Sequence, residues 1–227
     1  MISREVTNSP HGVAGVLNPA WLLDPAVENE SHLERRFIMV ALSCPVVVAI
    51  VHQPFTLELH GKNSRYTPDF KVTFTDDDSV IVEVKPEIYV KKHVDRLSSA
   101  ESQLKTGSLK FLLVTEKHID ANGLSARAML LMRYGRLQFG EEEALEWKRL
   151  IEEQCKGSSK IQALFDHGAS EATMWDLLAK HKLRIPAGLR MASSEAVFDK
   201  QSWRGCHDYF RKWLGIEVGR GHRLEKS

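Results

Sequence analysis

The chain has few cysteines, and no two of them lie close together in the sequence. Its 227 residues include three, Cys44, Cys155 and Cys206, which lie far apart and show no Cys-x-x-Cys spacing. An odd number of isolated cysteines argues against a disulfide framework, and the absence of paired spacing argues against a zinc knuckle. We therefore expect a protein of a reducing compartment and place it in the cytoplasm.

An excess of charge and a long apolar segment are also missing. The 31 Lys and Arg side chains are balanced by 30 Asp and Glu, which leaves a formal net charge of +1. Binding to nucleic acid must then come from local basic patches, because no overall positive field attracts DNA. No apolar run reaches the roughly 18 residues that a membrane helix needs, and residues 1–10 carry no apolar signal-peptide core. We expect no membrane segment.

The composition is that of a globular protein. Hydrophobic residues make up 43% of the chain, enough to bury a core, which argues against disorder. Apolar periodicity predicts the order helix, three or four antiparallel strands, helix, strand, helix, which is typical of an α/β domain with a mixed sheet. We divide the chain into an irregular N-terminal arm (1–27), this α/β domain (28–140) and a smaller, mainly helical, winged-helix-like domain (141–227).

The centre of the chain is predicted to form a β-hairpin with charge on one face. Two runs rich in Val, Phe and Ile flank the turn-forming sequence Thr75-Asp76-Asp77-Asp78-Ser79. We set Phe74 opposite Val80 across this connection. The resulting register predicts the pairs Phe70 with Val84, Val72 with Val82, Asp69 with Lys85 and Lys71 with Glu83. One face is then apolar and the other ionic.

Two interpretations of the ionic face are open. As a solvated surface it would be ordinary, because exposed cross-strand charge pairs contribute only roughly a few tenths of a kcal/mol each. As an active site it would hold a cation between Asp69 and Glu83, which are diagonal neighbours with backbones roughly 7–8 Å apart. Pro68 before Asp69, and the Glu-x-Lys spacing of Glu83 and Lys85 one hairpin later, favour the active site.

A predicted helix over residues 28–43 adds a further carboxylate. Asn29 or Ser31 can cap this helix. Glu34 lies beside its buried stripe and not on the outer face, so it is either a boundary glutamate in a salt bridge or a residue of the site. The stripe follows the i, i+4, i+7, i+8 pattern and consists of Leu33, Phe37, Val40 and Ala41.

Further strands and helices around the hairpin complete the α/β domain. We expect strands at residues 46–52 and 55–60 to extend the hairpin into a meander. A helix at 91–105, a strand at 109–115 and a helix at 124–134 follow. Lys91, Lys92 and Arg96, together with Lys71 on the hairpin, are candidate contacts to DNA phosphates, and a solvated basic face is the other interpretation.

The C-terminal part is predicted to contain three helices and a short wing strand. The helices span residues 144–154, 161–167 and 171–182, with Ser170 as the cap of the third, and the wing lies within 183–191. The third helix is apolar from Met174 to Leu178, which suits packing or partner binding better than base reading. From residue 201 onwards, six Lys and Arg interleaved with aromatics outnumber three acids, and we expect an exposed tail that docks a partner.

Taken together, four motifs of the chain resemble the TnsA family, the endonuclease subunits of heteromeric cut-and-paste transposases. The motifs are Ser31-His32-Leu33-Glu34-Arg35-Arg36-Phe37, Gln53-Pro54-Phe55, Arg65-Tyr66-Thr67-Pro68-Asp69-Phe70 and Glu83-Val84-Lys85-Pro86-Glu87. The resemblance covers about residues 28–115 and places the chain in the PD-(D/E)xK superfamily. It implies a restriction-endonuclease-like fold, in which helices flank a mixed sheet.

The resemblance also implies a site, a cofactor and partners. Glu34, Asp69, Glu83 and Lys85 would be catalytic, and the three carboxylates among them would bind Mg²⁺, with Mn²⁺ as a substitute. The substrate would be double-stranded DNA, cut at the 5′ ends of a transposon. The implied partners are a DDE transposase, which cuts and joins the 3′ ends, and an AAA+ ATPase regulator. Some family members carry Gln where this chain has Glu83.

The residue types also fit this chemistry without the family name. Hydrolysis of a phosphodiester needs an activated water and a counter-charge for the phosphoryl oxygens, and Mg²⁺ held by a few carboxylates supplies both. Two alternatives stay open: a free-standing restriction- or repair-type nuclease, and a non-catalytic DNA-binding or assembly protein. The neighbouring coding sequences would separate the first from a transposase subunit, and a metal-dependent nicking assay would separate the second.

Overall fold

The fold comes from a computed structural model, which describes residues 15–19, 21–22, 26–59, 64–136, 141–154, 158–185, 187–190, 195–198 and 205–216. The first elements are β1 (Gly15–Leu17), β2 (Val27–Asn29), α1 (His32–Leu42), β3 (Val47–His52), β4 (Leu57–Leu59), β5 (Ser64–Tyr66), β6 (Phe70–Phe74), β7 (Ser79–Val84), α2 (Glu87–Thr106), β8 (Lys110–Val114), α3 (Glu116–Ile119) and α4 (Leu124–Tyr134). The C-terminal elements are α5 (Glu141–Gln154), β9 (Ser158–Lys160), α6 (Ile161–Asp166), α7 (Glu171–Ala179), β10 (Leu183–Arg184), β11 (Glu195–Phe198) and α8 (Cys206–Trp213).

A four-stranded mixed sheet forms the centre of the fold. Its strand order is β3-β6-β7-β8, in which the first three strands are antiparallel and β8 runs parallel to β7. The apolar face of the β6–β7 hairpin packs with buried side chains of α1, α4 and α8. On the opposite face, α2 packs against β8 and the β4–β5 pair. The predicted α/β class, with helices flanking a mixed sheet, is confirmed.

The predicted hairpin forms, but its register lies two residues away from the predicted one. Phe70 pairs with Val82, and Val72 with Val80. The loop is shorter than expected, because Phe74 N–H donates to Asp78 O at 2.9 Å and Asp77 N–H to Phe74 O at 3.1 Å. Asp77 is left-handed (φ 62°), as is common for the last residue of a three-residue hairpin loop. A shift by two leaves every side chain on its predicted face.

Strands β4 and β5 pair with each other and do not extend the central sheet as a meander. Gln53 is left-handed (φ 43°) and precedes Pro54, so the chain leaves the sheet where β3 ends. The inner side chains of the pair, Leu59 and Tyr66, instead pack against Leu97 of α2. This second small core brings Tyr66 beneath the ionic face of the hairpin.

Helix α1 begins at His32, later than predicted, because Ser31 caps it. Ser31 is extended (φ −145°), and its hydroxyl accepts the Glu34 N–H at 3.2 Å. Residues 27–29 are the strand β2, antiparallel to β1. Part of the predicted irregular arm is therefore a strand, residues 15–17, while residues 1–14 lie outside the described part of the chain.

The C-terminal part of the described chain contains the three predicted helices, and it has three short strands where one wing strand was predicted. Their order is helix, strand, helix, helix, strand, strand, and the three strands form an antiparallel sheet of order β10-β11-β9. Ser170 caps α7 as predicted, since its hydroxyl accepts the Thr173 N–H at 3.0 Å. Helix α5 begins at Glu141, three residues before its predicted start.

The C-terminal helices are buried, which favours the packing interpretation of α7 and corrects the expectation of an exposed tail. Residues 173–179 of α7 are all buried, so this apolar helix fills the core and is not offered to a partner. The described part of the predicted tail is the helix α8, whose Phe210 ring lies 5.4 Å from that of Phe74. Trp213 Nε1–H donates to Val40 O at 3.1 Å. Residues 201–204 and 217–227 of the predicted tail lie outside the described residues.

Helix α2 is the longest helix of the described chain and begins earlier than predicted. It starts at Glu87, directly after Pro86, and runs for 20 residues. Its buried positions are Leu97, Ala100 and Leu104, and most of its other side chains are polar. Among the described helices, none has the length and apolar character needed to cross a bilayer.

Replacing Trp213 by Ala should destabilise the main domain, although this residue lies far along the chain from the central sheet. Trp213 is 1% exposed and holds a carbonyl of α1. Loss of a large buried aromatic side chain should lower the free energy of unfolding by about 3–5 kcal/mol, measured by urea denaturation. Lys212→Ala, an exposed change in the same helix, is the control and should cost less than about 0.5 kcal/mol. An unchanged urea midpoint for Trp213→Ala would contradict the packing of α8.

Candidate active site

The β6–β7 hairpin brings two carboxylates together at one end of the central sheet. Extended by one pair beyond Phe70 and Val82, the observed register places Asp69 directly opposite Glu83, where the predicted register made them diagonal neighbours. Asp69 Oδ2 accepts the Val84 N–H at 2.7 Å, so the carboxylate of Asp69 is fixed against β7. Glu83 is only 6% exposed. The shift of register therefore tightens the predicted pair.

Both carboxylate oxygens of Glu83 have a donor. Tyr66 O–H donates to Oε2 at 2.8 Å, and Lys85 Nζ lies 3.0 Å from Oε1. Burial and the neighbouring Glu83 carboxylate raise the pKa of Tyr66, so the phenol remains a proton donor at neutral pH. Glu83 is thus held between the neutral Tyr66 hydroxyl from β5 and the Lys85 ammonium, which lies just after the end of β7.

Lys85 and Tyr66 are themselves held in place by neighbouring elements. Lys85 N–H donates to Val114 O at 2.9 Å, which fixes the chain between β7 and α2, and its side chain is 22% exposed. The Arg96 guanidinium lies 5.7 Å from the Tyr66 ring centre and donates to Arg65 O at 2.6 Å. Lys85 therefore reaches both Glu83 and solvent, as a residue that meets a substrate must.

Glu34 reaches the neighbourhood of this pair from the first turn of α1. Ser31 Oγ–H donates to Glu34 Oε1 at 2.8 Å, and Glu30 N–H donates to Oε2 at 2.7 Å. Ser31 is the N-cap and Glu34 is the third helical residue, so the Glu34 carboxylate is held by the residues at the start of its own helix. Burial raises the pKa of the Glu34 carboxyl, and the two hydrogen bonds oppose the shift. Glu34 is thus buried beside the site and also caps its own helix.

His52 lies between Glu34 and a carboxylate nearer the surface. Its Nε2 is 3.9 Å from Glu34 Oε2, and its Nδ1 is 3.9 Å from Glu28 Oε2. The imidazole is buried and stacks at a tilt on Phe70, with 5.5 Å between ring centres. His52 therefore packs the Glu34 carboxylate against the apolar face of the hairpin.

The dominant electrostatic feature of the site is the excess of negative charge around Asp69. Burial raises the pKa of the Asp69 carboxyl well above its usual value, and the Glu83 and Glu34 carboxylates raise it further. The Val84 N–H and Lys85 oppose this shift. The site therefore has three electrostatically linked carboxylates and one nearby lysine.

The comparison with protein families identifies this part of the chain. Residues 44–116 match the model of the family described as TnsA-like endonuclease N terminal. The chain contains a TnsA-like endonuclease domain. The match includes Asp69, Glu83 and Lys85, and begins after Glu34. The comparison with curated proteins gives no match.

The carboxylates of the TnsA-like domain have the donor type that a hard divalent cation needs. Within the described residues, no three His, Cys, Asp or Glu side chains form a ready-made metal site. Mg²⁺, however, keeps several waters and takes only one or two carboxylates. The raised pKa of Asp69 marks uncompensated charge that a cation would neutralise. The residues therefore fit a site on Asp69 and Glu83, with Glu34 reached through water.

The predicted DNA contacts of the TnsA-like domain are dispersed along two elements. Lys71 on β6 is partly exposed and pairs with Ile81, not with Glu83 as predicted. Lys91 and Lys92 are exposed in the first turns of α2. Arg96 is engaged with β5 and the Tyr66 ring, so part of its side chain has a structural role.

Three residues that hold the site were not predicted from the sequence. Tyr66 donates to Glu83, His52 lies against Glu34, and Gln53 N–H donates to Asp69 O at 2.8 Å. Tyr66 and Gln53 stand within motifs of the TnsA resemblance, which was a usable signal. His52 gave none, because a histidine at the end of an apolar strand is an ordinary residue.

Replacing Asp69 by Asn should stabilise the metal-free protein at neutral pH. Asn keeps an acceptor for the Val84 N–H and removes the charge whose pKa is raised. Because folded Asp69 holds its proton more tightly than unfolded Asp does, its ionisation lowers stability as pH rises from about 4 through the raised pKa. In EDTA, calorimetry should show a Tm gain for the variant that is absent near pH 4 and grows towards pH 8.

The exposed turn residue Asp77 of the same hairpin supplies the control. Asp77→Asn tolerates the left-handed backbone and should not reproduce this gain. Each kcal/mol of stability corresponds to about 2–4 °C in Tm for a chain of this size. A loss of Tm in Asp69→Asn at pH 8 would contradict the charge arrangement of the site.

Proposed function

We propose that the chain is a metal-dependent DNA endonuclease that cleaves the 5′ ends of a transposon during cut-and-paste transposition. The observation that carries the proposal is the Asp69, Glu83 and Lys85 cluster within the segment that matches the TnsA-like family. A buried and a partly buried carboxylate opposite each other, with a lysine beside them, are what metal-assisted phosphodiester hydrolysis needs. The substrate is double-stranded DNA at the transposon ends.

Asp69 and Glu83 would hold the divalent ion, and Glu34 would contact it through water. Mg²⁺ or Mn²⁺, when bound, supplies an acidified water and neutralises charge that builds on the phosphoryl oxygens. The protein's part is to place the donors: the Val84 N–H fixes Asp69, and Tyr66 O–H fixes Glu83. Glu34 is oriented by its own helix cap.

Lys85 would act on the phosphate itself. Its ammonium group lies 3.0 Å from Glu83 Oε1 and is partly open to solvent. A lysine in this position can orient the attacking water or stabilise the charge of the transition state. Because its backbone N–H is tied to Val114 O, the side chain starts from a fixed point.

The first turns of α2 would guide the DNA to the site. This helix begins two residues after Lys85, and Lys91 and Lys92 are exposed on it. Ile88 and Tyr89 are also exposed, at 76% and 50%, which is unusual for large apolar side chains next to a charged site. The lysines would contact phosphates and the apolar pair the sugar edges of the duplex.

Partners would deliver the substrate, because a chain of net charge +1 has little attraction for DNA by itself. The proposed partners are a DDE transposase and an AAA+ ATPase regulator. The apolar sides of α7 and α8 are used inside the fold. Docking would therefore use exposed positions of the C-terminal part such as Leu145 on α5, which is 58% exposed.

Asp69→Ala, Glu83→Ala and Lys85→Ala should each abolish cleavage of the 5′ strand while the protein stays folded. None of the three side chains lies on the apolar Phe70–Val72–Phe74 face, and loss of a ligand or charge at such a site costs a hundredfold or more in rate, roughly 3 kcal/mol. The measurement is strand cleavage of transposon-end DNA in the assembled transposase. Mg²⁺ and Mn²⁺ should support the reaction, and Ca²⁺ should bind but support little cleavage.

The control for this series is Glu58→Ala, an exposed carboxylate on β4 that should cut at the wild-type rate. Glu34→Ala should also lose activity, through its contact to the site. A Lys85→Ala protein that cuts normally would overturn the site assignment. Normal transposition with all three variants would favour the non-catalytic assembly role.

Replacing Lys91 and Lys92 together by Ala should weaken DNA binding more than it slows the chemical step. Removing two phosphate contacts should reduce the slope of log K against log salt by about 2 and lower affinity about tenfold at moderate salt. Fluorescence anisotropy with end DNA in Ca²⁺ measures both. Lys105→Ala, an exposed lysine at the far end of the same helix, should leave binding unchanged. An unchanged salt slope in the double variant would remove α2 from the DNA path.

A further inference from the structure

Gln53, directly after β3, has a backbone conformation that residues other than glycine rarely adopt. Its φ is 43°, in the left-handed region. For a residue that is neither Gly nor Asn, this conformation costs on the order of 1 kcal/mol and persists only where the surroundings impose it. The following Pro54 adds to the constraint, because a residue before proline favours extended backbone. Such strain is concentrated at functional sites.

The main chain of Gln53 holds the residue that carries the central carboxylate. Gln53 N–H donates to Asp69 O at 2.8 Å. This bond continues the β3–β6 ladder by one pair beyond His52 and Phe70. Asp69 is therefore fixed twice, through its carbonyl on β3 and through its carboxylate on the Val84 N–H of β7.

The side chain of Gln53 is linked through Glu30 to the carboxylate of Glu34. Gln53 Nε2–H donates to Glu30 Oε1 at 3.2 Å. Glu30 N–H in turn donates to Glu34 Oε2 at 2.7 Å. Two residues thus join the backbone of Asp69 to the carboxylate of Glu34 by hydrogen bonds, from the end of a strand to the start of a helix.

We propose that Gln53 is a positioning residue, which with Glu30 sets the placement of Glu34 relative to Asp69. The inference rests on the proposed nuclease function, in which both carboxylates serve one metal ion. The Gln53–Glu30 link joins the start of α1 by a hydrogen bond to the strand end that holds Asp69. A small displacement of Glu34 would weaken binding of the metal ion and misplace the water between Glu34 and the ion. Residues that orient ligands in this way commonly contribute about 10–100-fold to metal affinity or activity.

The principal variant is Gln53→Gly, which removes the amide and nothing else that the site needs. Glycine adopts the left-handed backbone without strain and keeps the N–H that binds Asp69 O. We expect kcat for end cleavage in the assembled complex to fall about tenfold or more, with KM for DNA changed less than about twofold. The thermal midpoint should be unchanged or higher, because strain is relieved.

Two changes at Glu30 test the same link from its other end. Glu30→Ala removes the acceptor of the Gln53 amide and keeps the backbone N–H that binds Glu34, so it should reproduce the loss of Gln53→Gly. Glu30→Gln is the matched control, because its amide oxygen can still accept the Gln53 N–H, and it should restore most of the rate. The double variant Gln53→Gly with Glu30→Ala should be no slower than either single variant, as expected for one shared interaction.

A binding measurement without catalysis completes the test. Calorimetric titration of the full chain with Ca²⁺, which the carboxylates should hold without turnover, should show about tenfold weaker binding in Gln53→Gly and in Glu30→Ala. Glu30→Gln should bind Ca²⁺ like the wild type. These differences are not expected from a loss of stability, which calorimetric melting of the same samples reports separately.

The outcomes separate this inference from the proposed function. Wild-type kcat and Ca²⁺ affinity in Gln53→Gly, or additive losses in the double variant, would overturn the positioning role while an inactive Asp69→Ala leaves the nuclease in place. If Gln53→Gly does not fold, equal rates and equal Ca²⁺ affinities for Glu30→Ala and Glu30→Gln would overturn the inference on their own. Full cleavage by Asp69→Ala would instead remove the nuclease function on which the inference rests.

Discussion

The burial of like charges at one end of the hairpin is the constraint on which the rest of the site depends. Asp69 and Glu83 lie opposite each other, with little exposure of Glu83 and a carboxyl pKa of Asp69 raised by burial and by both neighbouring carboxylates. Desolvated carboxylates repel, and only donors or cations can offset this cost. The fold supplies Tyr66 O–H, the Val84 N–H and Lys85 as partial compensation. The remaining charge is what makes the site suitable for a divalent ion.

Elements that lie far apart in the sequence contact this cluster and hold its side chains in place. Strand β5 contributes Tyr66, and it can do so because the left-handed Gln53 directs the chain away from the central sheet before β4. The Ser31 cap orients Glu34 towards the site from a different direction. His52 packs behind Glu34 on the apolar side. The three carboxylates are thus held mainly by O–H and N–H donors, and Lys85 adds an ion pair to Glu83.

The face of each hairpin residue could be predicted from the sequence, whereas the register could not. Side-chain alternation has a period of two, so a register error of two residues left Asp69, Glu83 and Lys85 on the predicted face. The loop length depended on Asp77 adopting a left-handed backbone, which the run of three aspartates did not specify. The cap at Ser31, the helix at residues 124–134 and the cap at Ser170 were predictable, since each follows from local sequence. Tyr66, His52 and Gln53 were not, because their roles arise from contacts between distant segments.

The same limit explains why the C-terminal segment was misjudged. Its aromatic residues suggested an exposed contact surface, but the spacing of Cys206, Phe210 and Trp213 is that of one buried helical stripe. This stripe packs on the helix that carries Glu34, where Trp213 Nε1–H donates to Val40 O and His181 Nε2–H to Leu42 O at 2.9 Å. The last carbonyls of a helix lack partners within it, and these donors, together with the Ser43 hydroxyl on Val40 O, bind them at the end of α1. One end of α1 therefore carries a carboxylate of the candidate site, and the other end is held by the C-terminal part.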